Sequence, residues 1–408
     1  MSRIVVVGGG HAAAQLCASL AEAGAGNRVV MVTAEPHVPY QRPPLSKSYL
    51  KDAESAPAWL RAQSYYDTHG VTVKLSTTVT AIDRRARELA LSDGSRLPYD
   101  QLVLATGTRA RQLPELDAAK FSNVHTLRTL TDADRLRAQF EPAQRVLVVG
   151  GGFIGLEIAA TAAQSGKSVT VLEAGGRLLG RSVSEPIAQF LYAHHSLRGV
   201  QIQLNSRISQ VEYEDDRVVS VQIGDQTLAV DLVLVGIGAV PNDDLAQQAG
   251  LPCDDGVIVD AQLRTSDPAI WAIGDCVRFP SHSLGCPIRL ESVQNANDQA
   301  RCVAANLLGQ EQQYAALPWF WSDQGEVRLQ IAGLGQPTYN YEVRGEPTTG
   351  KFSVIGFEGD VIKVVESINM PADHMAARKL ITAGKPVDRV QAVDAAVPLK
   401  SLEGAVAA

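Results

Sequence analysis

Short apolar segments alternate with segments of helical periodicity along much of this chain. Val146–Val149 is an apolar run typical of a buried parallel strand, and Ser168–Leu172 has the composition of a second strand. The residues between them have an apolar face at helical spacing. A strand, a helix and a strand in this order predict a β-α-β unit with two parallel strands in one sheet.

A glycine-rich turn joins the first strand of this unit to its helix. Gly150, Gly152 and Gly155 follow the strand in G-x-G-x-x-G spacing. The first glycine allows a tight turn, the second lets the backbone approach a pyrophosphate, and the third lets helix and strand pack closely. The N–H groups at the helix N-terminus would bind the phosphates. We include Ile154 of this turn in the predicted nucleotide site.

Residues at the ends of two further strands complete this predicted site. Glu173 directly follows the second strand, where its carboxylate would accept a hydrogen bond from a ribose 2′-hydroxyl and repel a 2′-phosphate. The pattern therefore favours NADH over NADPH. Leu232–Gly238 ends the unit, and we expect the backbone at Ile237 and Gly238 to lie beside the nicotinamide.

The N-terminus repeats the same pattern. Ile4–Val7 predicts a strand, His11–Ala23 a helix and Arg28–Thr33 a second strand, with Glu35 just beyond it as the candidate ligand of a ribose. Two such units predict a protein that brings two nucleotides together, most simply FAD and a nicotinamide; duplication without function is the alternative. The turn residues assigned to the FAD site are Gly8, Gly10, His11, Ala12 and Ala13.

Composition and charge narrow the class of protein. The chain has 408 residues, which predicts two or three domains, and its 45% hydrophobic content is that of a soluble globular protein. The net charge of −7 argues against a nucleic-acid partner. No apolar run approaches the roughly 20 residues that span a bilayer, and we expect no signal peptide and no membrane association. Five scattered cysteines without CxxC spacing predict inert thiols in a reducing cytoplasm and no metal site.

A proline-rich segment points to a particular family. Pro39–Lys47, which reads PYQRPPLSK, resembles the N-terminal signature of the FAD-dependent NADH:ferredoxin reductases. This family belongs to the glutathione-reductase-like flavoproteins, and the resemblance covers essentially the whole chain. It implies that Lys47 sits beside the flavin N5 and that Arg42 and Pro43 line the FAD site. A solvated surface lysine is the alternative for Lys47.

Later segments carry the same resemblance. Residues 260–277 contain the pattern T-S-x-P-x-I-x-A-x-G-D, which is specific to the FAD domain of this superfamily, and residues 289–296 match R-x-E-S-V-x-N-A. By resemblance, Asp275 binds a ribityl hydroxyl, and the backbone of Val293 approaches the pyrimidine side of the flavin. By resemblance, the further residues of the FAD site are Val79 (beside the adenine), Ala105, Thr106, Gly107, Arg128 and Gly274.

Two charged residues are the predicted catalytic pair. Glu157 lies two residues after Gly155, and by resemblance it faces the nicotinamide and pairs electrostatically with Lys47. A buried carboxylate needs such a partner. We predict that Lys47 and Glu157 order the site during hydride transfer; an exposed glutamate on the helix surface is the alternative.

An aromatic cluster opens the C-terminal region. Residues 318–324 read PWFWSDQ, in a chain that is only 5% aromatic. The resemblance implies that Trp319 lies at the flavin edge, near the place where a ferredoxin docks. The alternative is that these rings form the core of a domain interface.

The segment around Lys47 also constrains the electron acceptor. Disulfide reductases of this superfamily carry a CxxxxC pair in the helix here, and this chain has no cysteine there. Electrons therefore pass directly from the flavin to an external acceptor, by resemblance a [2Fe-2S] ferredoxin of all-cysteine or Rieske type. That ferredoxin would serve a cytochrome P450 or a ring-hydroxylating dioxygenase. The alternatives are an NADH oxidase or quinone reductase, or an NADH-sensing flavoprotein related to apoptosis-inducing factor.

Together these observations predict an α/β protein with two Rossmann-like domains and a smaller α+β domain. We predict an FAD-binding domain of residues 1–113 and 243–313, an NAD-binding domain of residues 114–242, and a C-terminal domain of residues 314–408. Val200–Leu204, Val218–Ile223 and Leu228–Val230 predict a β-meander in the NAD-binding domain. We expect a monomer or a weak dimer.

Overall fold

The structure is a computed structural model that describes residues 2–52 and 54–402. The chain forms two compact units, each built from three separate segments. The first unit contains Met1–Gln41, Pro57–Arg109 and Ala239–Ala316, and the second contains Arg42–Ala56, Ala110–Gly238 and Leu317–Ala408. The predicted fold class, with two Rossmann-like units and a C-terminal α+β region, is confirmed.

A five-stranded parallel sheet organises the first unit. Its central strand, Ile4–Val7, is a run of four buried apolar residues, because helices or loops cover both faces of a parallel sheet. In order across the sheet, the strands are Ile270–Ala272, Gln101–Leu104, Ile4–Val7, Val29–Val32 and Thr72–Lys74.

Two long helices pack together beside this sheet. His11–Glu22 and Val293–Leu307 place Leu16, Ala300 and Val303 in the same hydrophobic core as the strands. The short helices of this unit are Gln63–Thr68 and Asp244–Gln248, with 3₁₀ turns at Gly26–Arg28 and Gly274–Cys276. An antiparallel sheet of this unit consists of Val79–Asp83, Glu88–Leu91 and Arg96–Pro98. The other short strands are Ala239–Pro241, Val257–Ile258, Val277–Pro280 and Pro287–Ile288. Strand Thr108–Ala110 begins in the first unit and ends in the second.

A second five-stranded parallel sheet organises the other unit. Its order is Val200–Gln203, Ser168–Leu172, Arg145–Val149, Leu232–Val235 and Val124–His125. The helices of this unit are Ser48–Lys51, Leu130–Phe140, Phe153–Gln164, Glu185–Ser196, Pro371–Ala383 and Arg389–Val393, with 3₁₀ turns at Pro43–Ser46, Pro114–Leu116, Pro347–Thr349 and Leu399–Leu402.

The predicted β-meander is only partly right. The antiparallel sheet consists of Gln210–Glu214, Arg217–Ile223 and Gln226–Ala229. Val200–Gln203 pairs parallel with Ser168–Leu172 instead, so it extends the parallel sheet. The first strand of the meander, QVEYE, is polar and mostly exposed, so it lacks the apolar signal of a strand.

The C-terminal region forms an antiparallel sheet with one long helix against it. The strands, in order, are Trp319–Gln324, Val327–Gly333, Val361–Ile368, Lys351–Glu358 and Asn340–Glu346. Pro371–Ala383 packs on this sheet through Ala376, Ala377 and Leu380.

One hydrophobic core links this sheet to the second parallel sheet. Leu156 and Ile158 of helix Phe153–Gln164 share that core with Leu329 and Phe352. Every residue of this helix from Gly155 to Ala162 is buried, as is expected for a helix that is covered on all sides. Residues 110–238 and 317–408 consequently fall in one compact unit, and the three-domain division stays a prediction. Among the described residues, no helix is long and apolar enough to cross a membrane.

Candidate functional site

The first glycine turn has the backbone geometry of a dinucleotide cradle. Gly8 has φ +131°, and a Cβ atom there would lie 2.1 Å from the Ala105 carbonyl oxygen. Gly10 is the N-cap of helix His11–Glu22, makes no side-chain cap, and has open space where a Cβ would stand. The first N–H groups of this helix, which have no intrahelical partner, can therefore receive phosphate oxygens.

The loop at Gly274 packs against this turn. Gly274 has φ +82°, and its Cβ would lie 3.1 Å from the Ala12 methyl group. The Gly274 N–H donates to Gln299 Oε1 at 2.7 Å. The other amide atom, Gln299 Nε2, is buried without a hydrogen-bond partner in the part of the chain that the structure describes. A buried donor of this kind fits a site that holds a bound acceptor-rich molecule such as FAD.

Glu35 lies at the end of strand Val29–Val32. Its carboxylate accepts a hydrogen bond from the Tyr40 hydroxyl at 2.5 Å, and its carbonyl oxygen accepts the Ser76 N–H at 3.1 Å. The strand that begins at Val79 follows directly from this segment. The residues predicted for the ribose and the adenine therefore lie in one connected region of the first unit.

At two further residues, Thr106 and Val293, the predicted contact with FAD involves the backbone rather than the side chain. Thr106 has its hydroxyl and carbonyl bound to Asn242, at 2.6 Å and 2.9 Å, which fixes the loop Ala105–Gly107. Val293 is the first residue of helix Val293–Leu307, whose N-cap Ser292 accepts the Asn295 N–H at 3.0 Å. The Val293 N–H has no place in the intrahelical hydrogen-bond pattern, as the predicted flavin contact requires.

The second glycine turn repeats the geometry of the first. Gly150 has φ +110°, and its Cβ would lie 2.4 Å from the Gly236 carbonyl oxygen. At Gly155, a Cβ would lie 2.3 Å from the Gly150 carbonyl oxygen, so this glycine permits the close approach of helix and strand. Gly152 is the N-cap of helix Phe153–Gln164 and has no side-chain cap. This unit therefore also has an open helix N-terminus for phosphates.

Glu173 has a structural role in addition to its predicted one. Its Oε2 accepts the Gly151 N–H at 2.7 Å, and its Oε1 accepts the Gly175 N–H at 2.7 Å. Each carboxylate oxygen can accept a further hydrogen bond, so a ribose hydroxyl still fits. The contribution of Glu173 to coenzyme choice stays a prediction.

The remaining NAD-site residues flank this turn. Ile154 is 43% exposed at the start of its helix. Gly238 has φ +109°, and a Cβ there would meet the Arg181 side chain at 3.9 Å. Ile237 lies between Gly238 and the buried strand Leu232–Val235.

Lys47 and Glu157 form an ion pair in the second unit. Lys47 Nζ lies 2.6 Å from Glu157 Oε2 and also donates to the Pro43 carbonyl oxygen at 3.1 Å. The Glu157 side chain is 4% exposed, whereas that of Lys47 is 24% exposed. The structure thus brings the two predicted catalytic residues together, and their catalytic role stays a prediction.

Two serines that sequence reasoning missed also bind Glu157. Ser46 Oγ donates to Glu157 Oε2 and Ser322 Oγ donates to Oε1, both at 2.6 Å. In strand Trp319–Gln324, the side chain of Ser322 is buried and lies on the same face of the strand as Phe320, which packs against Phe153. A polar residue on that face was the signal available in the sequence.

A chain of donors continues from Ser322 into the interior. Gln324 Nε2 donates to Ser322 Oγ at 2.7 Å, and His195 Nε2 donates to Gln324 Oε1 at 3.1 Å. Burial, reinforced by His194, lowers the pKa of His195 to about 4, so this imidazole is neutral at pH 7. This series of hydrogen bonds therefore orients neutral donors toward the Glu157 carboxylate and adds no further charge.

The other predicted FAD residues of the second unit have local partners. Arg42 Nη1 donates to the Arg128 carbonyl oxygen at 2.6 Å, next to the capping box of helix Leu130–Phe140. The ring centres of Trp319 and Trp321 are 5.9 Å apart, and the Arg378 guanidinium lies 4.7 Å from the ring centre of Trp319. Of the eighteen residues assigned to FAD, the five in the second unit are Arg42, Pro43, Lys47, Arg128 and Trp319.

Within residues 2–52 and 54–402, no group of histidine, cysteine or acidic side chains could hold a metal ion.

Comparison with known proteins decides the family. The model of the pyridine nucleotide-disulphide oxidoreductases matches residues 2–300, and a reductase C-terminal model matches residues 319–403. This chain belongs to the pyridine nucleotide-disulphide oxidoreductase family. The resemblance to ferredoxin reductases seen in the sequence is confirmed by its relatives.

Named relatives of this oxidoreductase match over at least 93% of their length. It is 42% identical over 400 residues to rhodocoxin reductase of Rhodococcus erythropolis, covering 97% of this chain and 93% of that protein. It is 42% identical over 402 residues to the ferredoxin–NAD(+) reductase component of the anthranilate 1,2-dioxygenase system of Burkholderia cepacia, covering 97% and 98%. The covalent putidaredoxin reductase–putidaredoxin complex contains a chain with a TM-score of 0.95 at 37% identity, with 99% of both chains covered.

Proposed function

We propose that this protein is a flavoprotein reductase that takes electrons from NADH and passes them, through FAD, to a [2Fe-2S] ferredoxin. The observation that carries the proposal is the pair of glycine turns, each at an uncapped helix N-terminus, in two separate units. The relatives support the acceptor, because they are named for rhodocoxin, for a dioxygenase ferredoxin system and for putidaredoxin. The ferredoxin in turn serves a cytochrome P450 or a ring-hydroxylating dioxygenase.

The first unit holds FAD in this proposal. The N–H groups that follow Gly10 bind the pyrophosphate, Glu35 accepts from a ribose hydroxyl, and Asp275 accepts from the ribityl chain. When bound, FAD supplies the acceptor for a hydride and returns electrons singly. The fixed loop Ala105–Gly107 and the Val293 N–H bind and orient the cofactor without rearrangement of the backbone.

The second unit holds NADH. Its pyrophosphate lies at the N-terminus of helix Phe153–Gln164, and Glu173 accepts from the ribose 2′-hydroxyl. A 2′-phosphate would bring negative charge to the Glu173 carboxylate, so NADPH binds more weakly. The helix that begins at this turn carries Glu157 in its second turn, where three hydrogen-bond donors hold the carboxylate.

We further propose that the reductase acts in the cytoplasm. All five cysteines are free thiols, and Cys17, Cys276 and Cys302 are buried. Free thiols are typical of proteins in reducing compartments. Export of the folded protein to an oxidising compartment would contradict this location, and fractionation of cells that express it tests the point.

Replacing Lys47 with methionine is expected to slow flavin reduction by NADH about 10- to 100-fold, because a hydrogen bond to a charged group contributes about 1.5–3 kcal/mol. The change removes the positive partner of Glu157 and leaves an unbranched apolar side chain that is one atom shorter. The measurement is the limiting rate of anaerobic flavin reduction in a stopped-flow instrument. The matched control is Lys51→Met, an exposed lysine of helix Ser48–Lys51. Equal rates in the two variants would show that the ion pair has no role in hydride transfer.

Coenzyme choice tests the NADH half of the proposal. The purified protein is mixed anaerobically with NADH and, in parallel, with NADPH. We expect rapid loss of the visible flavin absorbance with NADH and a specificity constant at least about tenfold lower with NADPH, equivalent to about 1.4 kcal/mol. A preference for NADPH would refute the role of Glu173. Ferredoxin-dependent reduction of cytochrome c tests the acceptor half.

A further inference from the structure

A buried carboxylate lies outside the residues assigned to the proposed reaction. Glu366 belongs to strand Val361–Ile368 and is 1% exposed. Its neighbours across the sheet, Ile331 and Val354, are apolar. A carboxylate in such surroundings needs hydrogen-bond donors from elsewhere.

Ser184 supplies these donors. Its N–H lies 3.0 Å from both Oε1 and Oε2 of Glu366, and its hydroxyl donates to Oε2. Ser184 is the N-cap of helix Glu185–Ser196, but its hydroxyl makes no capping hydrogen bond within the helix. A serine at this position usually caps its own helix. Here the hydroxyl binds Glu366, whose negative charge is favourable near a helix N-terminus.

The segment 174–184 connects Ser184 to the proposed NADH turn. The Leu179 N–H donates to the Gly151 carbonyl oxygen at 3.0 Å, and the Gly175 N–H donates to Glu173 at 2.7 Å. Leu178 packs so closely that a Cβ at Gly151 would lie 2.6 Å from it. One end of the segment is thus bound to the turn, and the other end is bound to Glu366.

We propose that Glu366 is a positioning residue for NADH: by anchoring Ser184, it holds segment 174–184 against Gly151. The inference rests on the proposed function, since it assumes that NADH binds the Gly150–Gly155 turn. Glu366 acts on the glycine turn through Ser184 and segment 174–184 and not by a direct contact with NADH. The anchor therefore affects the affinity for NADH and leaves the rate of hydride transfer unchanged.

The charge of Glu366 makes this anchor sensitive to pH. Burial raises the pKa of Glu366 to about 7, against the opposing effects of the Ser184 hydrogen bonds and of the Arg177 charge. Arg177 faces it from the segment and Tyr341 faces it from strand Asn340–Glu346, while exposed Glu185 of the helix lies 3.8 Å from Arg177. Above pH 7 the ionised carboxylate makes charge-assisted hydrogen bonds, which are stronger than neutral ones. Affinity for NADH consequently falls as the pH drops below 7.

The test compares Glu366→Gln with the wild-type holoenzyme. The dissociation constant for NADH and the limiting rate are obtained from the NADH dependence of anaerobic flavin reduction, between about pH 6 and about pH 8. At the higher pH we expect the dissociation constant to rise about 3- to 30-fold, with the limiting rate unchanged. The pH dependence of the wild-type affinity should disappear in the variant. Hydrogen exchange at the Leu179 and Ser184 amides should become faster, which is a readout independent of turnover.

A matched control keeps the proposal open to refutation. Ser367→Ala alters the next residue of the same strand, whose buried hydroxyl lies 3.1 Å from the Ser353 hydroxyl on the other side of the sheet and donates to it, because Ser353 itself donates to Asp373. This control should leave the affinity for NADH unchanged. An affinity for NADH in Glu366→Gln equal to that of the wild type would overturn the inference alone. Failure of NADH to bind the wild-type protein would overturn the proposed function as well.

Discussion

Replacing Gly150 with alanine is expected to weaken NADH binding so strongly that flavin reduction is lost at ordinary NADH concentrations, in a protein that keeps its FAD. The backbone at Gly150 has φ +110°, and a Cβ would lie 2.4 Å from the Gly236 carbonyl oxygen, which is closer than van der Waals contact permits. The turn that receives the pyrophosphate must therefore move. We expect the KM for NADH to rise at least about 100-fold, equivalent to about 2.7 kcal/mol. Steady-state oxidation of NADH gives the KM, flavin absorbance gives the FAD content, and circular dichroism checks the fold.

The equivalent change in the first unit is the matched control. Gly8 has φ +131°, and its Cβ would lie 2.1 Å from the Ala105 carbonyl oxygen. Gly8→Ala is therefore expected to lose FAD, whereas Gly150→Ala loses NADH. A Gly150→Ala protein purified without FAD, or a Gly8→Ala protein that keeps it, would contradict the assignment of FAD to the first glycine turn and of NADH to the second.

Replacing Asp373 with alanine is expected to destabilise the C-terminal sheet more than any single change at its surface. Asp373 Oδ2 accepts from Arg344 Nε at 2.9 Å and from Ser353 at 3.0 Å, and both charged side chains are almost fully buried. Arg344 also donates to the carbonyl oxygens of Ala392 and Val397, so it holds the C-terminal segment. Loss of Asp373 leaves a buried guanidinium charge without its partner, at a cost of about 3–5 kcal/mol in the free energy of unfolding.

An exposed ion pair of the same sheet provides the comparison. Asp323 lies 3.7 Å from Arg328, and its side chain is 33% exposed. Asp323→Ala should cost less than about 1 kcal/mol, as is usual for surface pairs. Urea unfolding followed by tryptophan fluorescence measures both variants, because Trp319 and Trp321 lie in this sheet. Equal losses of stability in the two variants would refute the importance of the buried pair.

The parallel strands of both units could be predicted from sequence because each is a short apolar run. Ile4–Val7 and Ser168–Leu172 have the predicted bounds, and the glycine turns follow their strands as expected. The apolar composition of such a run does not determine which distant strand it pairs with. Val200–Gln203 was consequently placed in the meander, although it pairs with the parallel sheet.

The candidate site could be predicted where a motif carries it and not where tertiary packing creates it. Lys47 and Glu157 were identified through family resemblance, and the structure brings them within 2.6 Å. Ser322 was overlooked within an aromatic run, since its role depends on which face of its strand meets the helix of Glu157. Glu366 is the one acidic residue of its largely apolar strand, and its partner Ser184 is 182 residues away in sequence. Single polar residues in otherwise buried strands are the pattern to examine first in related chains.

Ferredoxin-dependent reduction of cytochrome c by NADH tests the central claim most directly. The purified protein, NADH and cytochrome c are combined with and without a [2Fe-2S] ferredoxin, and cytochrome c absorbance is followed. The proposed function predicts rapid reduction that requires both the ferredoxin and this protein and is lost in Gly150→Ala. Flavin reduction by NADH without any ferredoxin-dependent transfer would contradict it, and would point to oxygen, a quinone or NADH sensing instead.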